Sequence, residues 1–136
     1  MIERFLAGLR GKMDDPDDCT FMTVAVPGDI GPMDRHLRFS VMIDAELRLA
    51  GLGCSEGGGT LYWEPDDEDD EPEIAYAVLD VDATHVDRAR ALLRRHMPEL
   101  GAPAGTVVQY GEWEDRFDGE RWHLREPRSV PDPAGD

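Results

Sequence analysis

The sequence predicts a single α+β domain with core order β–α–β–β–α–β. This is the ferredoxin-like arrangement, in which two split βαβ halves share one antiparallel sheet with the helices on one face. Three observations carry that expectation. Short β-forming runs recur at residues 20–26, 60–63, 74–81 and 106–110. A segment with helical spacing falls between the first and second of these runs and another between the third and fourth. The length, 136 residues, suits one domain, and a chain of this size buries roughly 68–70% of its unfolded surface, enough for a proper core.

At the N-terminus, Ile2, Phe5, Leu6 and Leu9 recur at intervals of three and four, which predicts a short amphipathic helix over 2–10 with Gly11 as its stop. Asp14, Asp15, Asp17 and Asp18 surround Pro16 in an acidic turn. Residues 20–26 read as a strand, and the Pro27–Pro32 cluster, rich in Gly and Pro, as a turn. The next stretch supports two readings. Leu37, Phe39, Val41 and Ile43 alternate as in a strand, whereas Phe39, Ile43, Leu47 and Ala50 share one helical face. We read a helix over 41–50 with Ser40 as N-cap and Gly51 as its stop, with an earlier start near Asp34 as the alternative.

Residues 51–59 form a glycine-rich loop before the strand 60–63. Residues 65–73 hold seven acids in nine positions, too much like charge to pack, so an exposed loop is expected between the two middle strands. Ile74–Val81 is almost continuously apolar, as befits a central strand. Thr84 and Asp87 have capping-box spacing, and Val86, Ala89, Leu93 and Met97 follow on one helical face until Pro98. Arg94, Arg95 and His96 lie in that helix's last turn, where positive charge suits the dipole. After the strand 106–110, Asp118-Gly119 marks a hairpin between residues 113–117 and 120–124. The domain is expected to span 1–126, followed by a disordered acidic tail over 127–136 that is rich in proline.

Charge narrows the partners. There are 30 Asp and Glu against 14 Lys and Arg, a formal net charge of −16. That field repels nucleic-acid phosphates and anionic membranes and favours basic proteins. Thirteen of the 14 basic residues are Arg, which fits a bacterial source with GC-rich codons. Cys19 and Cys54 are isolated in a chain whose first residues are too charged for a secretory signal, so the expected location is the cytoplasm. No apolar run approaches the ~20 residues of a membrane span.

The stretches Leu49-Ala50-Gly51-Leu52-Gly53 and Gly57-Gly58-Gly59-Thr60 resemble a pattern in small uncharacterised bacterial α+β proteins. So do Asp80-Val81-Asp82 and Gly101-Ala102-Pro103-Ala104-Gly105-Thr106. Over residues 20–110 the chain is loosely similar to immunity and accessory components that accompany bacterial toxins. These motifs consist of turns, helix stops and strand ends, so the resemblance implies a fold and transfers no catalytic residue.

Four candidate sites follow from the residues. The glycine loop 51–59 runs from helix to strand, the reverse of a phosphate-cradling loop, and Glu56 would repel an anion, so it reads as a connection. In the acidic run, Asp66, Asp67, Glu68, Asp69, Asp70 and Glu71 lack the spacing of a calcium loop and are the residues expected to meet a basic partner. His36, His85, His96 and His123 are scattered, no nucleophile elbow or HExxH is present, and Cys54 has no cationic neighbour in sequence; no catalytic residue, metal ligand or cofactor is assigned. Trp113, Phe117 and Trp122 either anchor a partner or cover the end of the sheet. The leading expectation is a non-enzymatic acidic protein that binds a basic protein, of the immunity kind. A small-molecule-sensing domain that forms a homodimer through its sheet is the second, and a small enzyme working on the open sheet face is the third.

Overall fold

β1 (Thr20–Pro27) turns Met22, Val24 and Val26 to one side and Thr23 and Ala25 to the other. All five are buried, so the strand lies inside a sheet and not at its rim. The computed structural model describes residues 19–64, 67 and 69–129. The expected helix 2–10, the acidic turn at 14–18, Asp66, Glu68 and residues 130–136 of the expected tail lie outside the described residues.

The ambiguous stretch after β1 is helical. Helix α1 covers residues 32–50 in three contiguous pieces: an α-turn Pro32–Arg35, a π segment His36–Ser40 and a regular α-helix Val41–Ala50. The earlier start prevails because Pro32 occupies the first turn, where its fixed φ is helical and its missing N–H costs nothing. Ser40 is therefore not an N-cap; its dihedrals are helical and its side chain makes no capping bond. Phe39, Ile43 and Leu47 form the buried face. Gly51, at φ +69, ends the helix: its N–H donates to Arg48 O, while the N–H of Leu52 donates to Leu47 O.

The expected single second strand is divided into β2 (Gly53–Cys54) and β3 (Gly58–Tyr62), which pair with successive parts of β4 (Ile74–Ala83). Gly53 permits this: its φ is +135, and a Cβ there would run into the Asp82 carbonyl. Helix α2 (Val86–Glu99) buries Ala89, Leu93 and Met97, the face its spacing predicts. The capping box does not form. His85 is the N-cap without a side-chain bond, the Thr84 hydroxyl donates to Gly51 O, and Asp87 pairs with Arg90. The helix ends one residue after Pro98.

β5 (Val107–Tyr110), β6 (Trp113–Phe117) and β7 (Trp122–Pro127) complete one antiparallel sheet in the order β2/β3–β4–β1–β5–β6–β7. Over the described residues the fold is α+β with a seven-stranded sheet and two helices, larger than the ferredoxin-like βαββαβ expected from the sequence. Two causes account for the difference. Glycines interrupt the second strand, and the C-terminal hairpin does not stand apart: β6 takes the hydrogen-bonding edge that β5 leaves open. Pro127 ends β7, and beyond it Ser129 N–H donates to Glu114 at 2.8 Å, so the sheet holds the first residues of the stretch expected as tail.

Both helices pack on one face, where Phe39, Ile43, Leu47, Leu93 and Met97 meet Val24, Leu79, Val81 and Val108. The opposite face was expected to be open. Its centre is not: Thr23, Ala25, Val78, Val107 and Gln109 are each at most 2% exposed. No described helix is long and apolar enough to cross a membrane.

Candidate functional site

The loop between β3 and β4 is built on an aromatic base. Trp63 N–H donates to Glu73 O at 2.8 Å, closing the loop where the strands diverge. The Trp63 ring lies against Tyr76, centroids 6.2 Å apart, yet Trp63 remains 59% and Tyr62 55% exposed. Of the six acids expected to meet a partner, Asp67, Asp69, Asp70 and Glu71 are exposed beyond this base; Asp66 and Glu68 are outside the described residues. Residues 55–73 contain nine carboxylates and no Lys or Arg. Large exposed aromatics beside a run of carboxylates suit a Lys- or Arg-bearing partner, because a ring face and a carboxylate both attract a cation. The sequence marks the acids plainly. It does not mark Tyr62 and Trp63, which read as an ordinary strand end until their exposure is known.

A second polar constellation was not legible in the sequence. Asp115 on β6 has no exposed side-chain surface and points at α2. Arg90 grips it with two bonds, Nε–H to Oδ2 at 2.9 Å and Nη2–H to Oδ1 at 2.8 Å. Arg94 Nη1–H donates to Oδ2 at 2.8 Å, and Tyr110 O–H and the Arg125 N–H donate to Oδ1. The Arg90 guanidinium also lies over the Tyr110 ring, 4.0 Å from its centroid. Burial pushes the Asp115 carboxyl up, but the bonds from Arg90, the Arg125 backbone, Tyr110 and Arg94 outweigh it and hold the group below its ordinary value. Burial, with the carboxylate beside it, pushes the Tyr110 phenol up to about 12. Every oxygen of Asp115 is committed, so the cluster is a clasp between α2 and the C-terminal strands. Arg125 takes a left-handed φ of +54 to bring its N–H there, at the register shift between β6 and β7.

The remaining candidates resolve individually. The glycine loop is a pinned connection: Ser55 N–H donates to Asp44 Oδ1, Ser55 O–H donates to Asp80 O, and Arg48 bridges Asp44 and Glu56. Arg48 also lies within electrostatic reach of Cys54, a cationic neighbour hidden in the sequence. Phe117 and Trp122 stack at 5.1 Å, and Trp122 Nε1–H donates to Arg94 O, so these two cover the sheet end. Trp113 is partly exposed with Arg125 over its ring. His123 bonds Asp118, whose carboxylate also accepts the N–H groups of Arg121 and Glu120 and is held well below its usual range by those backbone bonds first. His96 stands 3.6 Å from Glu46 and 3.4 Å from Glu99, lining with Arg95 an open cleft of about 350 Å³ between α1 and α2. Among the described residues, no three His, Cys, Asp or Glu side chains converge on a metal position. No family model, curated protein or solved structure matches this chain.

Proposed function

We propose that this chain is a non-enzymatic acidic binding protein that captures a basic protein partner through the β3–β4 loop, acting in the manner of an immunity protein. The observation that supports this most directly is the exposed Tyr62–Trp63 pair at the foot of the acidic run. Carboxylates steer a cationic partner from a distance, and a ring supplies the short-range anchor that long-range attraction alone lacks. An immunity-like role also explains a small fold whose most elaborate polar cluster is wholly consumed in bracing its own strands.

The test is a reconstituted complex. A partner retained from lysate of the source organism is purified and titrated against the native chain, against Trp63→Ala, and against a chain with Asp67, Asp69, Asp70 and Glu71 changed to their amides. The expected loss is about tenfold or more in affinity for each variant. The acid variant should lose mainly association rate, and Trp63→Ala should mainly speed dissociation. Equal affinity for all three chains removes the loop from the function.

A second reading rests on the α1–α2 cleft, where the His96 imidazole faces Glu46 beside Arg95. That is the minimal equipment for acid–base chemistry or for holding a small polar ligand. A ligand screen read by His96 ring shifts tests it; shifts confined to other residues, or none, discard it.

A further inference from the structure

We propose that the outer edge of β3 receives an extended, Lys- or Arg-bearing segment of the partner as an added antiparallel or parallel strand. This rests on the basic-partner reading above and specifies how that partner is held.

The backbone geometry identifies which groups are available. In an antiparallel ladder, directly opposed residues alternate between exchanging hydrogen bonds and facing away from each other. Asp80 N–H donates to Gly57 O, and these two are opposed in the register that sets Gly58 against Leu79. Gly57 and, by the period of two, Gly59 and Leu61 thus turn their backbone groups toward β4. On the far side of β4, Gly28 N–H donates to Ala75 O, which directs Ala75, Ala77 and Leu79 toward β1 and leaves Tyr76, Val78 and Asp80 for β3. The two bonds agree. The N–H and C=O groups of Gly58 and Thr60 therefore face outward. Tyr62 does too, because across the bulge at Leu61/Tyr62 the next bonded position is Trp63, opposite Glu73.

Among the described residues, β3 pairs with β4 alone. Arg35 reaches the strand from α1, but its Nη1–H goes to the carbonyl of Gly59, an inward-facing residue. The opposite edge of the sheet, β7, is blunted by Pro127, by charged Arg125 and Glu126, and by the twist at Arg125. β3 has neither Pro nor a charged side chain; Gly58–Leu61 are half-buried and Tyr62 is exposed. An unpaired edge of this kind is the recognition surface used in strand addition.

Charge selects the occupant. Glu56, before the strand, is already paired with Arg48 at 2.7 Å, whereas Glu64 follows the strand, with Asp67, Asp69, Asp70, Glu71 and Glu73 beyond. A cationic segment therefore gains at the loop end of β3. A second copy of this chain would bring one acidic loop toward another copy's Glu56 or loop, and a nucleic acid would be repelled outright.

The experiment uses the full chain and a synthetic peptide of alternating Arg and Val. Its companions are the same peptide with alternate backbone nitrogens methylated, and a Glu–Val peptide. Thr60→Pro removes one outward N–H without touching an acid, and its fold is checked by circular dichroism and thermal midpoint. The Arg–Val peptide should bind the native chain and slow amide exchange at Gly58, Thr60 and Tyr62. Methylation or Thr60→Pro should weaken binding about tenfold or more, as expected for lost backbone pairing at an interface. If the methylated peptide and the Thr60→Pro chain bind as well as their parents, while the D67N/D69N/D70N/E71Q chain does not, strand addition is overturned and the acidic-loop reading stands. Equal binding of the Glu–Val peptide, no binding of any peptide, or dimerisation of the native chain with protection at the same three amides also overturns the inference. The reconstituted complex with the natural partner judges the broader reading separately.

Discussion

Asp115 joins α2 to the C-terminal strands by accepting five hydrogen bonds. Removing one partner of a buried, hydrogen-bonded charge cluster typically costs about 3–5 kcal/mol, because the groups left behind keep their desolvation penalty. Asp115→Asn should therefore lower stability by roughly that amount in denaturant unfolding, with binding at the distant β3–β4 loop unchanged. The difference from the native chain should also depend on pH. The folded-state carboxyl is held below its unfolded value, so its stabilisation is complete above the ordinary carboxylate range, near pH 4. It should fade as pH falls through the lowered folded value. Unfolding curves of the two chains should be far apart at neutral pH and converge in acid; a constant gap would show that ionisation of Asp115 does not matter. The sequence concealed this residue for a physical reason. Trp113-Glu114-Asp115-Arg116-Phe117 reads as a solvated hairpin strand, and its partners Arg90 and Arg94 lie 25 and 21 residues away on a helix, where Arg94 is already explained by dipole complementarity and Arg90 reads as an ordinary solvated side chain.

At the scale of elements, periodicity was informative wherever one face alone is buried. Ala89, Leu93 and Met97 announce α2, and Ile74–Val81 announces an interior strand, because burial is what selects those residues. The start of α1 was harder. A π segment adds a residue within the helix and disturbs the spacing from which a face is read, so the alternation of Leu37–Ile43 offers a strand as the competing reading to the helix. The division of the second strand was equally hidden, since it depends on a close approach between Gly53 and the Asp82 carbonyl across the sheet. That contact makes its own prediction. Gly53→Ala should cost more than the ~1 kcal/mol of an ordinary glycine substitution, because its φ and its space are both wrong for a side chain. Amide exchange should speed up at Cys54 and Thr84 before it does in β1. A variant with native stability would mean that β2 can withdraw from β4 without loss. The acidic loop itself was legible from composition alone; the aromatic base and the outward direction of the β3 backbone were not, because exposure and hydrogen-bond direction are properties of the assembled sheet.

For the molecule as a whole, the net charge of −16 acts in two directions at once. Self-repulsion weakens the compact state, and the same field accelerates capture of a cation. Salt screens both, with a Debye length of about 8 Å at physiological ionic strength. Raising salt from a dilute buffer should increase the thermal midpoint of the isolated chain by about 4 °C, equivalent to roughly 1 kcal/mol. It should also slow association with a basic partner by about tenfold or more. A midpoint that falls with salt would mean that specific ion pairs such as Arg48–Asp44 outweigh the general repulsion. Neither effect requires a change in fold, and the two opposite signs can be measured on one preparation.

The three tryptophans occupy distinct electrical settings. Trp122 is fastened to Arg94 O, Trp113 lies beneath Arg125, and Trp63 is open to water beside the carboxylates. Their fluorescence should therefore discriminate between quenchers of opposite sign. Caesium, concentrated near the acids, should extinguish Trp63 efficiently, whereas iodide should be kept away from it and act more on Trp113. A Trp63→Phe chain should lose most of the caesium response and little of the iodide response. In the native chain, binding of any cation-rich ligand at the loop should then appear as protection from caesium, giving an optical signal for occupancy without an added label.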